Sequence, residues 1–151
     1  MDILNKIVES APSTFWKKGR LETFENWPYQ SANMCNPEKM AAAGFYFVGN
    51  KNEPDLVECF ICSKQLDGWE PNDDPWAEHK NHKSSCAFVK LNKQEEMSWT
   101  IEDLYLLVWE SGKKDLEKEF NVAKNKLDNH IKDLSHQIPN IYNGSTKSRK
   151  I

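Results

Sequence analysis

Four side chains in the middle of this 151-residue chain have the types and spacing of zinc ligands. Cys59 and Cys62 are separated by two residues, His79 follows after sixteen more, and Cys86 after a further six. The short Cys-x-x-Cys turn lets both sulfurs point at one ion, and three thiolates with one imidazole complete a tetrahedral zinc shell. We therefore predict one structural Zn²⁺ bound by Cys59, Cys62, His79 and Cys86.

Two further residues bear on this site. His82 lies three residues after His79 on what should be the same helix, so its imidazole is the alternative ligand, although we favour His79. Cys35 is the one cysteine that is not a predicted zinc ligand, and in a reducing compartment we expect it to be a buried free thiol, not part of a disulfide. A catalytic zinc usually keeps one position for water, so a shell of four protein ligands argues for a structural site and against an enzyme.

The residues around the four ligands predict a small α+β module over residues 15–91. All four cysteines and most of the aromatic residues lie in this stretch. A short helix should begin at Pro37, with Asn36 as its N-cap, and stop at Gly44. Strands are predicted at 45–48 and 56–60, which indicates a short antiparallel sheet surrounded by small helices.

A long C-terminal helix is predicted over residues 100–138, after a linker at 92–99. Thr100 with Asp103 three residues later is typical of a helix start. Apolar residues at steps of three or four form a stripe, namely Leu104, Val108, Leu116, Phe120, Ala123, Leu127, Ile131, Leu134 and Ile138. Because the module cannot cover so long a helix, we expect partner helices to pack on Leu116, Phe120, Leu127, Ile131 and Leu134. The alternative is a helical hairpin that folds back at Gly112.

Two terminal segments complete the chain. Residues 1–14 have apolar side chains at helical spacing (Ile3, Leu4, Ile7 and Val8) but no signal peptide or membrane span, so we expect an intracellular, soluble protein. Residues 139–151 form a basic flexible tail. The net charge of −3 divides into −7 before Lys113 and +4 from there on. The front part should attract a basic partner, and direct sequence-specific binding of nucleic acid is not expected.

Three runs resemble the signature of BIR domains, the zinc modules of inhibitor-of-apoptosis proteins: Cys59-Phe60-Ile61-Cys62, Gly68-Trp69-Glu70-Pro71-Asn72-Asp73-Asp74-Pro75-Trp76-Ala77-Glu78-His79 and Cys86-Ala87-Phe88. Upstream, Arg20-Leu21-Glu22-Thr23-Phe24, Asn26-Trp27-Pro28 and Met40-Ala41-Ala42-Ala43-Gly44-Phe45 fit the front of the same domain. The resemblance covers residues 15–88. A single BIR domain followed by a long helix is similar to the family member of the chromosomal passenger complex.

The resemblance also implies a peptide groove beside the zinc site, lined by Lys64, Leu66, Asp67, Trp69, Asp73 and His82. In this family the groove binds the free N terminus of a peptide. Asp67 and Asp73 would pair with the α-ammonium group, and the Trp69 ring would flank the first side chain. BIR domains that bind apoptotic antagonist peptides usually have Trp at the position of His82. His82 and Lys64 would instead favour an anion, which implies a histone tail with a free N terminus and a phosphothreonine.

The function implied by the resemblance is that of a non-enzymatic adaptor in mitosis and cytokinesis. We expect borealin-like and inner-centromere-protein-like partners and a location in nucleus and cytoplasm, at centromeres and the spindle midzone. A homodimer of the free chain, through Trp99, Leu104 and the Phe15-Trp16 pair, is a further expectation. The alternative function is an apoptosis inhibitor that binds caspases or their antagonists. Two positions depart from the pattern: Asn36 replaces a phosphorylatable Thr, and Asp67 replaces Glu.

Overall fold

The computed structural model describes Glu9 and residues 11–145, without the side chains of Asp115 and residues 139–145. Its helices are α1 (Lys17–Glu22), α2 (Pro37–Ala42), α3 (Pro75–His82), α4 (Ala87–Leu91) and α5 (Ile101–Ser145). Its strands are β1 (Phe45–Phe47), β2 (Val57–Cys59) and β3 (Gln65–Leu66), and 3-10 turns cover Ser13–Phe15, Thr23–Asn26 and Glu96–Ser98. The predicted apolar turn at residues 3–8 and the basic residues 147–150 lie outside the described residues.

The three strands form one antiparallel sheet in the order β1-β2-β3. Phe45 pairs with Cys59, and Val57 pairs with Leu66. Both predicted strands are present, although each is shorter than predicted because hydrogen-bonded pairing ends before the flanking turns. The predicted α+β class, a small antiparallel sheet with short helices and a long C-terminal helix, is confirmed.

Helix α2 begins and ends as the sequence predicts. The Asn36 side chain accepts a hydrogen bond from the Lys39 N–H at 3.0 Å, and Pro37 is the first helical residue. Gly44 follows the helix with φ of +91°, and a Cβ there would lie 2.9 Å from the Phe88 ring. Both its backbone conformation and the lack of space therefore require glycine at the entry to β1.

Edge-to-face aromatic contacts build the core that reaches the predicted zinc ligands. Phe60 lies 5.4 Å from Phe15 and 5.1 Å from Phe88, in both cases nearly perpendicular. Phe45 lies 4.7 Å from the imidazole of His79. The ligands are thus packed into the core and not appended to it.

Arg20 is completely buried, and its guanidinium is held by main-chain carbonyls. Its Nε donates to the Ala41 carbonyl at 2.9 Å, and Nη1 donates to the Phe15 and Thr14 carbonyls at 2.6 and 3.2 Å. Nη2 lies 3.4 Å from Oε1 of Glu96. Burial lowers the pKa of Arg20 to about 10, and the nearby Glu96 carboxylate opposes that shift. One side chain therefore joins the N-terminal turn, α2 and the segment before α5.

The segment predicted as a linker, residues 92–99, packs against the module. The Trp99 ring contacts Phe15 at 6.3 Å, Trp16 at 6.5 Å and Phe88 at 6.2 Å, and its Nε1 donates to the Lys93 carbonyl at 2.9 Å. The first compact unit accordingly ends at Gly112, beyond the predicted boundary at 91. Trp99 and the Phe15-Trp16 pair, which we considered as dimer contacts, pack within one chain.

Helix α5 starts as predicted but ends later. Thr100 Oγ1 accepts from the Asp103 N–H at 3.2 Å, and Asp103 Oδ2 accepts from the Thr100 N–H at 2.8 Å. The predicted end at 138 is too early, because the φ of proline is itself helical and the chain continues through Pro139 at the expense of one backbone hydrogen bond. Gly112 is also helical, so the hairpin alternative is wrong. No helix among the described residues is long and apolar enough to cross a membrane.

The residues of the predicted stripe are exposed in the second half of α5 and partly buried at its start. Leu104 and Val108 are partly buried and pack with the fully buried Leu107 on the core, because the start of α5 belongs to the first compact unit. The large apolar residues exposed there are instead Ile101, Tyr105, Leu106 and Trp109.

The second compact unit begins at Lys113 and is helical as far as Ser145. The five predicted partner contacts all lie in it and are 46–68% exposed: Leu116, Phe120, Leu127, Ile131 and Leu134. Val122 and Ile138 are likewise exposed. None of the described side chains of this unit is buried.

We expect Arg20→Met to destabilise the zinc-loaded chain by about 3 kcal/mol, because it removes the buried guanidinium that donates to three main-chain carbonyls and pairs with Glu96. The measurement is urea unfolding followed by tryptophan fluorescence. Lys18→Met, at an exposed position of the same helix, is the control and should stay within about 0.5 kcal/mol of the parent. Equal unfolding midpoints for the two variants would show that the Arg20 contacts add no stability.

Candidate metal centre and adjoining pocket

The first two ligands come from the turn that ends β2. Cys59 is the last residue of the strand, and Ser63 closes the turn with φ of +53°. The N–H groups of Ile61 and Cys62 point at Cys59 Sγ, at 3.4 and 3.5 Å. Backbone amides therefore stabilise a thiolate at Cys59.

The other two ligands come from α3 and from the residue before α4. Asp74 caps α3 by accepting from the Trp76 and Ala77 N–H groups at 2.9 and 3.2 Å. This places His79 in the core, where its Nδ1 lies 2.8 Å from the Ala43 carbonyl. Because a carbonyl can only accept, Nδ1 carries the hydrogen and Nε2 keeps the lone pair that binds a metal.

The geometry of the four ligand atoms fits one zinc ion. These atoms of Cys59, Cys62, His79 and Cys86 all lie within 4.8 Å of one another. Cys59 Sγ is 4.0 Å from Cys86 Sγ, and Cys62 Sγ is 3.7 Å from His79 Nε2. A tetrahedron with Zn–S bonds of about 2.3 Å has edges of about 3.8 Å, which these separations match. The predicted zinc set is confirmed.

The competing residues lie elsewhere. The His82 side chain is half exposed, and its Nε2 lies 3.3 Å from Glu78 Oε2. Cys35 is a buried free thiol, as predicted, and its Sγ contacts the Glu70 carbonyl at 3.2 Å. Neither residue belongs to the metal cluster.

The ligands also need a cation to reach their metal-binding protonation states. Burial raises the pKa of the Cys59 thiol well above its usual range, whereas hydrogen bonds from Cys59 and Cys62 lower that of Cys86. Burial would lower the pKa of His79, but hydrogen bonds to Cys62 and Cys86 outweigh it and raise the value to about 9. Three thiolates and a neutral imidazole therefore require the positive charge of a divalent ion between them.

A cavity of about 150 Å³ is lined by the end of β3, the turn after it and one face of α3: Leu66, Asp67, Gly68, Trp69, Asp73, Glu78 and His82. It contains five of the six predicted groove residues. Lys64 does not line it, because Lys64 lies two residues earlier, where its carbonyl accepts from the Cys59 N–H at 3.0 Å. Glu78 was missed, although its position four residues before His82 on one helix was a signal for it.

Local hydrogen bonds hold the walls of this pocket in place. The Trp69 N–H donates to Asp55 Oδ2 at 2.8 Å, and the Glu70 N–H donates to Asp73 Oδ2 at 2.8 Å. The hydroxyl of Tyr29 donates to the Trp69 carbonyl. Gly68 turns the chain with φ of +74° between Asp67 and Trp69. The pocket is thus preorganised by its own backbone.

The charge of the pocket is negative. Three carboxylates line it, those of Asp67, Asp73 and Glu78, against the single imidazole of His82. Glu78 is paired with His82, which leaves the two aspartates facing the cavity without a basic partner among its lining residues. The arrangement is suited to a small cationic group.

Residues 20–90 match the family model described as the Inhibitor of Apoptosis domain, BIR. The matched segment contains all four metal ligands and all residues that line the pocket.

Three curated relatives match most of the chain. Baculoviral IAP repeat-containing protein 5 of Cavia porcellus is 43% identical over 114 residues, which are 76% of this chain and 80% of that protein. The protein of the same name from Mus musculus is 39% identical over 82% of this chain and 88% of its own length. Baculoviral IAP repeat-containing protein 5.2-A of Xenopus laevis is 45% identical over 68% of this chain and 65% of its own length.

Zinc removal should unfold the first compact unit, because zinc ligation in small modules supplies much of the folding free energy. We expect one zinc per chain by metal analysis, and loss of near-ultraviolet circular dichroism on chelation or in Cys86→Ser. Cys35→Ser is the matched control, since Cys35 is buried but outside the cluster, and it should retain its zinc. A folded Cys86→Ser variant with well under one zinc per chain would contradict a structural role.

Proposed function

The chain belongs to the survivin family of BIR-domain inhibitor-of-apoptosis proteins, and from that premise we propose that it is a non-enzymatic adaptor of the chromosomal passenger complex. In this proposal the pocket beside the zinc site binds the N terminus of a phosphorylated histone tail. Exposed apolar residues of α5 bind helices of borealin-like and inner-centromere-protein-like chains. The proposed locations are nucleus and cytoplasm, with centromeres and the spindle midzone during division.

The acidic pocket is the observation that carries the histone proposal. Asp67 and Asp73 can each accept a charge-assisted hydrogen bond from an α-ammonium group, and Trp69 provides an apolar wall for a small first side chain. Around the pocket, residues 53–78 contain eight Asp or Glu and a single basic residue, Lys64. Such a surface attracts a strongly basic peptide, as a histone tail is.

The phosphate part of the proposal depends on His82 and Lys64. The His82 side chain is half exposed at the pocket, where a phosphate can compete with Glu78 for its imidazole. Lys64 is two residues before Leu66, and residues two apart in an extended segment point to the same side, about 7 Å apart. We infer that Lys64 reaches a phosphate on a ligand that continues past the cavity.

A structural metal site supports a non-enzymatic role. All four positions of the zinc shell are filled by protein side chains, so no position is left for a reactive water. We propose that the ion serves the fold and that the function is binding.

The alternative function, inhibition of apoptosis by binding caspases or their antagonist peptides, is supported by the description of the family model. Antagonist-binding BIR domains usually place Trp at the position of His82, and its apolar wall is missing here. We therefore favour the passenger adaptor.

The helix proposal rests on exposed apolar surface. Leu116, Phe120 and Leu127 are 68%, 67% and 58% exposed, and a contiguous row of exposed apolar side chains is typical of a protein-interaction surface. A homodimer of the free chain is also proposed. The candidate contacts remain Trp99, Leu104 and the Phe15-Trp16 pair, of which all but Phe15 are only partly buried, and the exposed Ile101, Tyr105 and Trp109 follow them in the sequence.

The pocket should require a free amine and prefer a phosphate. Calorimetry on a histone-tail peptide beginning Ala-Arg should show binding that is lost on Nα-acetylation, because acetylation removes the cation and adds bulk. Threonine phosphorylation should tighten binding roughly tenfold, about 1.4 kcal/mol, and His82→Ala should remove part of that gain. Asp67→Asn should weaken every peptide, whereas Glu25→Gln, at an exposed position outside the pocket, should not. Equal affinities for free and acetylated peptides would refute the pocket assignment.

Charged substitutions on α5 should abolish partner binding without unfolding the BIR domain. We expect Leu127→Glu with Ile131→Glu to eliminate pull-down of borealin-like and inner-centromere-protein-like chains while the zinc content stays at one per chain. Val122→Glu is the control, since Val122 is 55% exposed on the same helix but lies off the apolar row. Intact pull-down with the double variant would show that these residues are not the interface.

A further inference from the structure

Seven apolar residues of the second compact unit follow a spacing that repeats every eleven residues. They lie at 116, 120, 123, 127, 131, 134 and 138, at steps of 4, 3, 4, 4, 3 and 4. We call these seven residues the seam: Leu116, Phe120, Ala123, Leu127, Ile131, Leu134 and Ile138. Counted back along the sequence, the same spacing reaches positions 112, 109, 105 and 101, which are Gly112, Trp109, Tyr105 and Ile101.

The eleven-residue period differs from the heptad of an ordinary coiled coil. A heptad continued from Leu116 and Phe120 would reach positions 130 and 137, which are His130 and Gln137, and would leave out Ile131 and Ile138. Eleven residues in three turns give about 3.67 residues per turn, slightly more than the relaxed helix, so the seam runs straight or with a slight right-handed twist. A partner helix with heptad spacing would therefore lose register with the seam along its length.

We propose that the seam packs against helices of other chains that have the same 4-4-3 apolar spacing and carry acidic residues beside its middle, in a straight to slightly right-handed bundle. This rests on the proposed function and deepens it by naming the pattern that a partner helix must have. The seam residues apart from Ala123 are 46–68% exposed, so the whole row is available to such a helix.

Size and charge both favour a different chain over a second copy in parallel register. In a parallel pair of identical helices each residue faces its own copy, so Phe120 would crowd Phe120 while Ala123 faced Ala123 across a void. At about 98° per residue, Lys124 and Lys126 fall on opposite flanks of the seam, about 3 Å apart along the helix axis. Self-pairing would bring these lysines together, whereas acidic residues on a partner would neutralise them.

The test uses the full zinc-loaded chain and two designed helical peptides. Both have the same composition and acidic flanking residues, which discourage peptide self-association, but leucines are spaced 4-4-3 in one and 4-3 in the other. Binding is measured by fluorescence anisotropy of the labelled peptide. We expect the 4-4-3 peptide to bind at least tenfold more tightly than the 4-3 peptide. Equal binding, or preference for the 4-3 peptide, would overturn the proposal.

Variants of the chain test which residues bind the peptide and whether the binding depends on the two lysines. Ile131→Glu should abolish binding of the 4-4-3 peptide, and Val122→Glu should leave it unchanged. Lys124→Glu with Lys126→Glu should weaken binding of the acidic 4-4-3 peptide and strengthen binding of a version with lysines as flanking residues. Unchanged affinities in the charge variant would refute the acidic partner.

Sedimentation of the chain alone tests whether a second copy of the chain packs on the seam. An antiparallel self-pair centred on Leu127 would give a dimer that Leu127→Glu dissociates and that the 4-4-3 peptide does not displace, and this result would overturn the proposal. Failure of the passenger chains to co-purify, with the peptide preference intact, would refute the proposed function but not the seam. Co-purification of the passenger chains, with equal affinities for the two peptides, would refute the seam proposal but not the proposed function.

Discussion

A single coordination shell joins the parts of the first compact unit that are far apart in the sequence. Cys59 ends β2, His79 lies on α3 and Cys86 precedes α4, so one ion fixes three elements relative to each other. The second nitrogen of His79 extends this connection to Ala43, between α2 and β1. The sheet has only three short strands, and zinc ligation in small modules of this kind supplies much of the folding free energy.

The acidic pocket beside the zinc site takes its shape from the same shell. One wall, Leu66 to Trp69, consists of the last residue of β3 and the turn after it, and β3 is hydrogen-bonded to the strand that ends in Cys59. The other wall, Glu78 and His82, flanks His79 on α3. The distance between the two walls is therefore set by the metal. In the proposed function, the structural ion would control peptide binding without touching the peptide.

The features that local spacing controls could be predicted from the sequence, and those that depend on distant contacts could not. The zinc ligands, the Asn36 cap and the Thr100–Asp103 start of α5 follow from residues a few positions apart or from a specific motif. The contact between Arg20 and Glu96 joins residues 76 positions apart, and no local signal marked it. For the same reason the stripe that begins with Leu104 could not be divided into its buried and exposed parts, since periodicity shows that residues share a face but not which residues meet the core.

The two compact units should tolerate different kinds of evolutionary change. Within the first unit the effect of a substitution depends on the space around the side chain, as the contact between Gly44 and Phe88 shows. On the seam any apolar side chain of roughly the right size can serve, so residue identities are free to drift. An insertion or deletion of one residue would rotate everything after it by about 100° and split the row into two faces. In this helix, evolution must preserve the number of residues between successive seam positions.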